Sequence, residues 1–197
     1  MNRFLEQAKA GLSSRRYAHV LGVMDTAKAL ATRYRLSNEQ ASIAAALHDI
    51  YREMTPTELK KLADEVDLIL PDDDPPTWHG PVTAARLMMD FGIGDQEIGD
   101  AIRFHTIGHP EMGSLAKLIY VADAIEPGRN FYGVDHLRRA AEMDLNLAVA
   151  VVADASLTYL IEKQLKVALP TVELRNKIWG LVDGKLRKDY NQGNKIN

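Results

Sequence analysis

His48 and Asp49 stand side by side at the end of the run SNEQASIAAALHDI, and an imidazole next to a carboxylate can hold a metal ion. Three more histidines and a second aspartate recur at wide spacing: His19 in RRYAHVLG, His79 in WHGPV, His105 in IRFHTIGHP and Asp123 in YVADAIEPGR. The order H…HD…H…H…D places donors on separate expected helices. The carboxylate of Asp49 has two oxygens and could bridge two ions, whereas an imidazole binds one. Imidazole plus carboxylate suits iron, manganese or zinc better than calcium, which takes mainly oxygen ligands; iron or manganese is the expectation.

The elements that must position these groups read as helices. From Ser14 to Arg33, the residues Tyr17, Val20, Leu21, Met24, Ala27 and Ala31 recur at steps of three and four, marking one buried face. His19 shares a row with Val23, Thr26 and Leu30 beside that stripe. His48 extends the row Ala41, Ala44, Ala45, whose small side chains let another helix come close. Ser37 with Gln40, and Thr55 with Glu58 after Pro56, predict capping boxes. LPDDDPPTW predicts a solvated loop, and its acidic run at 72–74 carries no catalytic role. Further helices are expected at about 80–91, 95–104, 114–125, 134–142, 144–168 and 171–188. No alternating run is long enough for a strand. The fold expected is an all-α bundle forming a single domain over residues 1–190, with a disordered tail at 191–197.

Composition narrows the chemistry. The 197 residues suffice for a core, 46% are hydrophobic, and there is no cysteine, which excludes disulfides and thiolate nucleophiles. No uninterrupted apolar stretch approaches the roughly 18–20 residues that span a bilayer, and charges interrupt the N-terminus, so the expectation is a cytoplasmic protein without membrane contact. The formal net charge of −3 gives no global attraction for nucleic acid. FGIGDQEIG has the wrong glycine spacing for a dinucleotide fingerprint, and no GxxxxGK[ST] loop occurs.

A lone histidine on an apolar helix face is usually a hydrogen-bonded packing residue, so the ordered set carries the argument. Asp123 follows the apolar run LIYVA, where a buried carboxylate needs compensation from a metal ion or from an arginine such as Arg129. His109 and His136 fall outside the set, and His136 reads as a surface residue.

With these motifs assembled, RRYAHVLGV, the HD helix, WHGPVTAA, AIRFHTIG, KLIYVADAIEPGR and YGVDHLR, the chain from about Arg15 to Lys177 resembles the HD superfamily of metal-dependent phosphohydrolases. Within it, the chain is similar to the YqeK-type symmetrical bis(5′-nucleosyl)-tetraphosphatases. The resemblance implies a di-metal centre inside an HD-domain helical bundle. His19, His48, Asp49 and Asp123 would hold one ion, His79 and His105 the second, with Asp49 bridging. It implies an iron enzyme that cleaves diadenosine tetraphosphate into two ADP. Two positions depart from the pattern: Arg52 stands where lysine is usual, and His109 where arginine is more usual.

Two divalent cations would activate water and polarise the phosphoryl group, so no protein nucleophile is needed. Asp49 then serves catalysis by bridging the ions. Arg52, Arg129, Thr106 and His109 are the candidate substrate-binding residues, the first three also contributing to catalysis by neutralising or contacting phosphate oxygens. The bland alternatives are a solvated helix end for Arg52 and a salt bridge to Asp123 for Arg129. The partner is a small dinucleoside polyphosphate or nucleotide, and a homodimer stays open. Competing functions are an HD phosphohydrolase acting on another nucleotide such as a dNTP, and a nucleotide-sensing HD module without turnover.

Overall fold

The computed structural model describes residues 2–70 and 74–193, so Asp72 and Asp73 of the acidic run lie outside the described residues. Among those described are eleven α-helices and no strand. They are α1 Asn2–Gly11, α2 Ser14–Tyr34, α3 Asn38–Leu47, α4 Pro56–Asp64, α5 His79–Arg86, α6 Gln96–Phe104, α7 Ser114–Ile125, α8 Val134–Met143, α9 Leu145–Glu162, α10 Leu169–Leu181 and α11 Gly184–Gly193. Helix α2 packs on α3 and α7, α6 on α3, α5 and α7, and α9 on α7, α8 and α10. The all-α expectation holds.

Because α2 is covered by two helices, its buried face is wider than one stripe. Val23 and Leu30 are buried together with Val20, Met24, Ala27 and Ala31, while Tyr17 and Leu21 are half-buried. Ala41, Ala44 and Ala45 of α3 are fully buried. Helix α9 is long and apolar enough to cross a membrane by length and composition. Here its residues from Leu147 to Ala153 are buried in the bundle, and its Asp154 accepts hydrogen bonds from Arg175 Nε (2.7 Å) and Trp179 Nε1 (2.9 Å).

Helix ends follow local chemistry. Thr55 and Glu58 make the reciprocal capping box, with Pro56 at the first position of α4. At Ser37 the expected box is half made. Ser37 Oγ accepts from the Gln40 N–H, but the Gln40 side chain reaches Asp95 (2.9 Å) and so ties α3 to the start of α6.

Three expected spans are corrected. The span 80–91 ends as α-helix at Arg86 and continues as one π-helical turn, Leu87–Phe91, closed by Gly92 at φ 67°. The span 144–168 stops at Glu162, where Gln164 takes a positive φ of 55°. The span 171–188 is two helices, since Val182 is extended and Asp183 accepts from the N–H groups of Lys185 and Leu186, starting α11. Helix α11 runs through Gly193, into the segment expected to be a tail; 194–197 lie outside the described residues.

Two networks fix the segments that carry the site. The turn after α3 is anchored where the Tyr51 hydroxyl donates to Asp90, itself paired with Arg86. The α7–α8 connection is held by Arg138, whose guanidinium donates to the carbonyls of Ile125, Glu126 and Arg129.

Candidate metal centre

Helix α3 ends at Leu47, so His48 caps it and Asp49 opens the following turn. Adjacent residues inside a helix point about 100° apart. Both side chains nonetheless face the centre, with Asp49 Oδ2 beside His48 Nε2. His19 comes from α2, His79 from the first position of α5, His105 from just past α6, and Asp123 from the last turn of α7.

The structure gathers the other five expected donors around Asp49. Asp49 Oδ2 lies 3.4 Å from His48 Nε2 and 3.6 Å from His19 Nε2, while Oδ1 lies 3.1 Å from His79 Nε2 and 3.6 Å from His105 Nε2. Asp123 Oδ1 stands 3.0 Å from His19 Nε2, and the His79 and His105 Nε2 atoms are 3.0 Å apart. The carboxylate is thus divided between two imidazole pairs. His48, Asp49, His79 and His105 are at most 3% exposed.

The donor set fits cations on its own geometry. The donor atoms of His19, His48 and Asp49 lie within 4.8 Å of one another, as do those of Asp49, His79 and His105, and also those of His48, His105 and Asp123. His19 Nε2 and His48 Nε2 are buried without a hydrogen-bond partner of acceptable geometry, an arrangement that costs free energy unless something accepts their lone pairs. The other ring nitrogens explain why Nε2 faces inward. Nδ1 of His48, His79 and His105 meets the carbonyl three residues earlier, at 2.7, 3.2 and 2.7 Å, and Nδ1 of His19 meets Glu126 Oε1 at 3.1 Å. With Nδ1–H donating outward, each Nε2 presents a lone pair to the centre.

Electrostatics favour the ligand forms at three positions. Burial pulls His79 down to about 4, so its ring is neutral near pH 7. Burial alone would raise Asp49, but the imidazoles around it, His48 first and then His105 and His79, hold it well below the usual carboxylate range. Asp123 is likewise held low against burial, by His19, His48 and Arg129.

The remaining expected residues divide. Thr106 Oγ1 is 3.0 Å from His105 Nε2, at the exposed edge of the donors. Arg129 pairs with Asp123, the salt bridge weighed from the sequence, while Asp123 Oδ1 also faces His19 Nε2. Arg52 makes no side-chain ion pair among the described residues, and it lines a cleft of about 190 Å³ together with His79, Pro75 and Pro76. His109 makes no hydrogen bond, ion pair or ring contact with the six donors. Its ring stacks on Phe104 at 4.6 Å, and its Nδ1 accepts from the Glu111 N–H.

Sequence reasoning missed two charged residues. Arg16 donates to Asp49 Oδ2 at 2.8 Å, and its place three residues before His19 puts it on the same helix face, a signal that was available. Glu126 is 4% exposed and contacts His19 from beyond the end of α7, where helical spacing gives no guide.

The HD domain family model matches residues 16–128, more than half of the chain, and the chain belongs to that family. It is 41% identical to the symmetrical bis(5′-nucleosyl)-tetraphosphatase of Bacillus subtilis (strain 168) over 167 residues, 83% of this chain and 90% of the relative. It is 32% identical to the protein of the same name from Staphylococcus aureus (strain NCTC 8325 / PS 47), over 92% of this chain and 95% of the relative. A crystal structure from Clostridium acetobutylicum, described as a predicted HD superfamily hydrolase involved in NAD metabolism, superposes with a TM-score of 0.86 at 35% identity. That match covers 92% of this chain and 97% of the other.

Proposed function

We propose that this chain is a metal-dependent symmetrical bis(5′-nucleosyl)-tetraphosphatase that hydrolyses diadenosine tetraphosphate to two ADP. The observation that carries the reading is the Asp49 carboxylate, one oxygen toward His19 and His48 and the other toward His79 and His105. On this reading His19, His48, Asp49 and Asp123 hold one divalent ion, and Asp49, His79 and His105 the other. Iron is the proposed metal, with manganese the alternative. Such a pair, when bound, supplies an activated water near neutral pH and polarises the phosphoryl group.

The residues around the donors supply the rest. Arg129 stands at the Asp123 end of the donor set and Arg52 at the His79 end. Guanidinium groups pair with phosphate oxygens but cannot coordinate a cation, so two of them at opposite ends would grip the phosphates flanking the reacting one. That placement presents an inner phosphorus, and the central bridge breaks. Arg16, bonded to the bridging carboxylate, adds positive charge beside the reacting centre, and Thr106 offers a hydroxyl to a phosphate oxygen.

The test is the bond broken. In ¹⁸O-labelled water the metal-loaded protein should convert diadenosine tetraphosphate to ADP alone, with one label per turnover, on the β-phosphate of one of the two ADP molecules. ATP and AMP in equal amounts would overturn the symmetric assignment, and no turnover with iron or manganese would overturn the enzyme reading.

A further inference from the structure

We infer that Glu126 is a positioning residue that locks the imidazole of His19 in the tautomer that presents Nε2 to a cation. The inference rests on the metal-centre reading above. Three of the four imidazoles need no carboxylate for this purpose. His48, His79 and His105 sit at helix termini, and in each the Nδ1–H donates to the backbone carbonyl three residues earlier. His19 is different, because it lies in the second turn of α2, where the carbonyls upstream already accept the helix's own N–H groups. Its Nδ1–H instead donates to Glu126 Oε1, 107 residues away in sequence and 3.1 Å away in space.

The surroundings hold that carboxylate in place. Glu126 Oε2 accepts from the Gly128 N–H, and the backbone carbonyl of Glu126 accepts from Arg138. The facing residue on α2 is Gly22, where a Cβ atom would stand 2.5 Å from Glu126 Oε2. A glycine in the middle of a helix is less favourable than alanine. The close approach of the carboxylate is what this glycine permits. Glu126 is buried, carries no donor atom toward the Asp49 carboxylate, and orients a ligand of one of the two proposed ions only.

The contrast between one carboxylate-held and three carbonyl-held imidazoles gives the test. In the metal-free full-length protein, at a pH where the ring is neutral, long-range ¹H–¹⁵N NMR should show His19 protonated on Nδ1. His19→Gln assigns the resonance. Glu126→Ala should shift it toward the Nε2-protonated form. In calorimetric titration with Mn²⁺, Glu126→Ala should weaken one of two sites by roughly tenfold to a hundredfold and leave the other within about twofold. Glu126→Gln, which keeps an oxygen acceptor, should fall between. Gly22→Ala should reproduce the one-site loss in a well-folded chain, since alanine favours the helix while its methyl displaces the carboxylate.

A wild-type chain that binds two Mn²⁺ and a Glu126→Ala chain with the same tautomer and the same two affinities would overturn this inference alone. Equal weakening of both sites, not reproduced by Gly22→Ala, would make Glu126 merely structural. A wild-type chain that takes up no cation would overturn the metal reading and this inference together.

Discussion

The donors and the rim around them are built differently. His48, Asp49, His79 and His105 are buried at helix ends, and each imidazole is fixed by a second bond to backbone. Arg52, Thr106 and Arg129 sit at the edge, where the Arg129 side chain is 37% exposed and Arg52 has no ion-pair partner among the described residues. A cation demands a set of lone pairs held in fixed directions, which burial and bonded second nitrogens provide. A polyphosphate demands positive charge that can adjust to it, which long exposed side chains provide. On the proposed function, the interior would bind the ions and the rim would handle the substrate.

Removing the cations should have the largest effect. Treatment with a chelator should abolish turnover, and Mn²⁺ at a hundred times its Kd should restore it while stabilising the fold by about 2.7 kcal/mol for each site filled. Calorimetric melting should show this as a rise in Tm of roughly 5–10 °C per site for a chain of this size. Full activity after chelation would break the comparison at its interior half.

Next comes Asp49→Ala, which removes the carboxylate common to both imidazole pairs. Turnover should fall on the order of a thousandfold or more, and bound metal should fall with it, read by kinetics and elemental analysis of the same sample. His48→Ala should lower metal content in the same way. A folded Asp49→Ala protein with normal metal and normal turnover would remove the site.

Arg52→Ala should act on the rim alone. Losing a charged hydrogen bond to phosphate costs about 1.5–3 kcal/mol, roughly tenfold to a hundredfold in kcat/KM, while metal occupancy stays at the wild-type level. Arg52→Lys should recover more than alanine does. Loss of ions with normal kinetics after reloading would instead place Arg52 in the interior half.

The smallest effect should come from His136→Ala. His136 lies on α8 outside the donor set, half-buried, with Arg139 against its Nδ1 and Tyr190 donating to its backbone carbonyl. Turnover should stay within about twofold. A large loss there would show that the donor set is misassigned.

The interior was more legible in the sequence than the rim. Helical spacing set His19 and His48 beside apolar rows and Asp123 after one, and it set His79 and His105 at helix ends; their grouping as one ligand set was what the resemblance to the HD phosphohydrolases implied. The spacing did not show that α3 ends before His48 and that Asp49 stands in the turn that follows. Arg16 was readable from its spacing to His19. Glu126 was not, since its contact joins residues 107 apart across a break in helix. His109, singled out by its place after HTIG, is held by Phe104 and Glu111, an aromatic stack and a turn bond that no periodicity marks. The overlong helices at 144–168 and 171–188 failed for a similar local reason, at Gln164 and at the capping Asp183.

The central claim, that the ions bind in the interior around one shared carboxylate, is tested most directly by anomalous diffraction from crystals loaded with manganese. Two peaks should appear, one among His19, His48, Asp49 and Asp123, the other among Asp49, His79 and His105. Peaks at the rim, or none touching Asp49, would contradict the account.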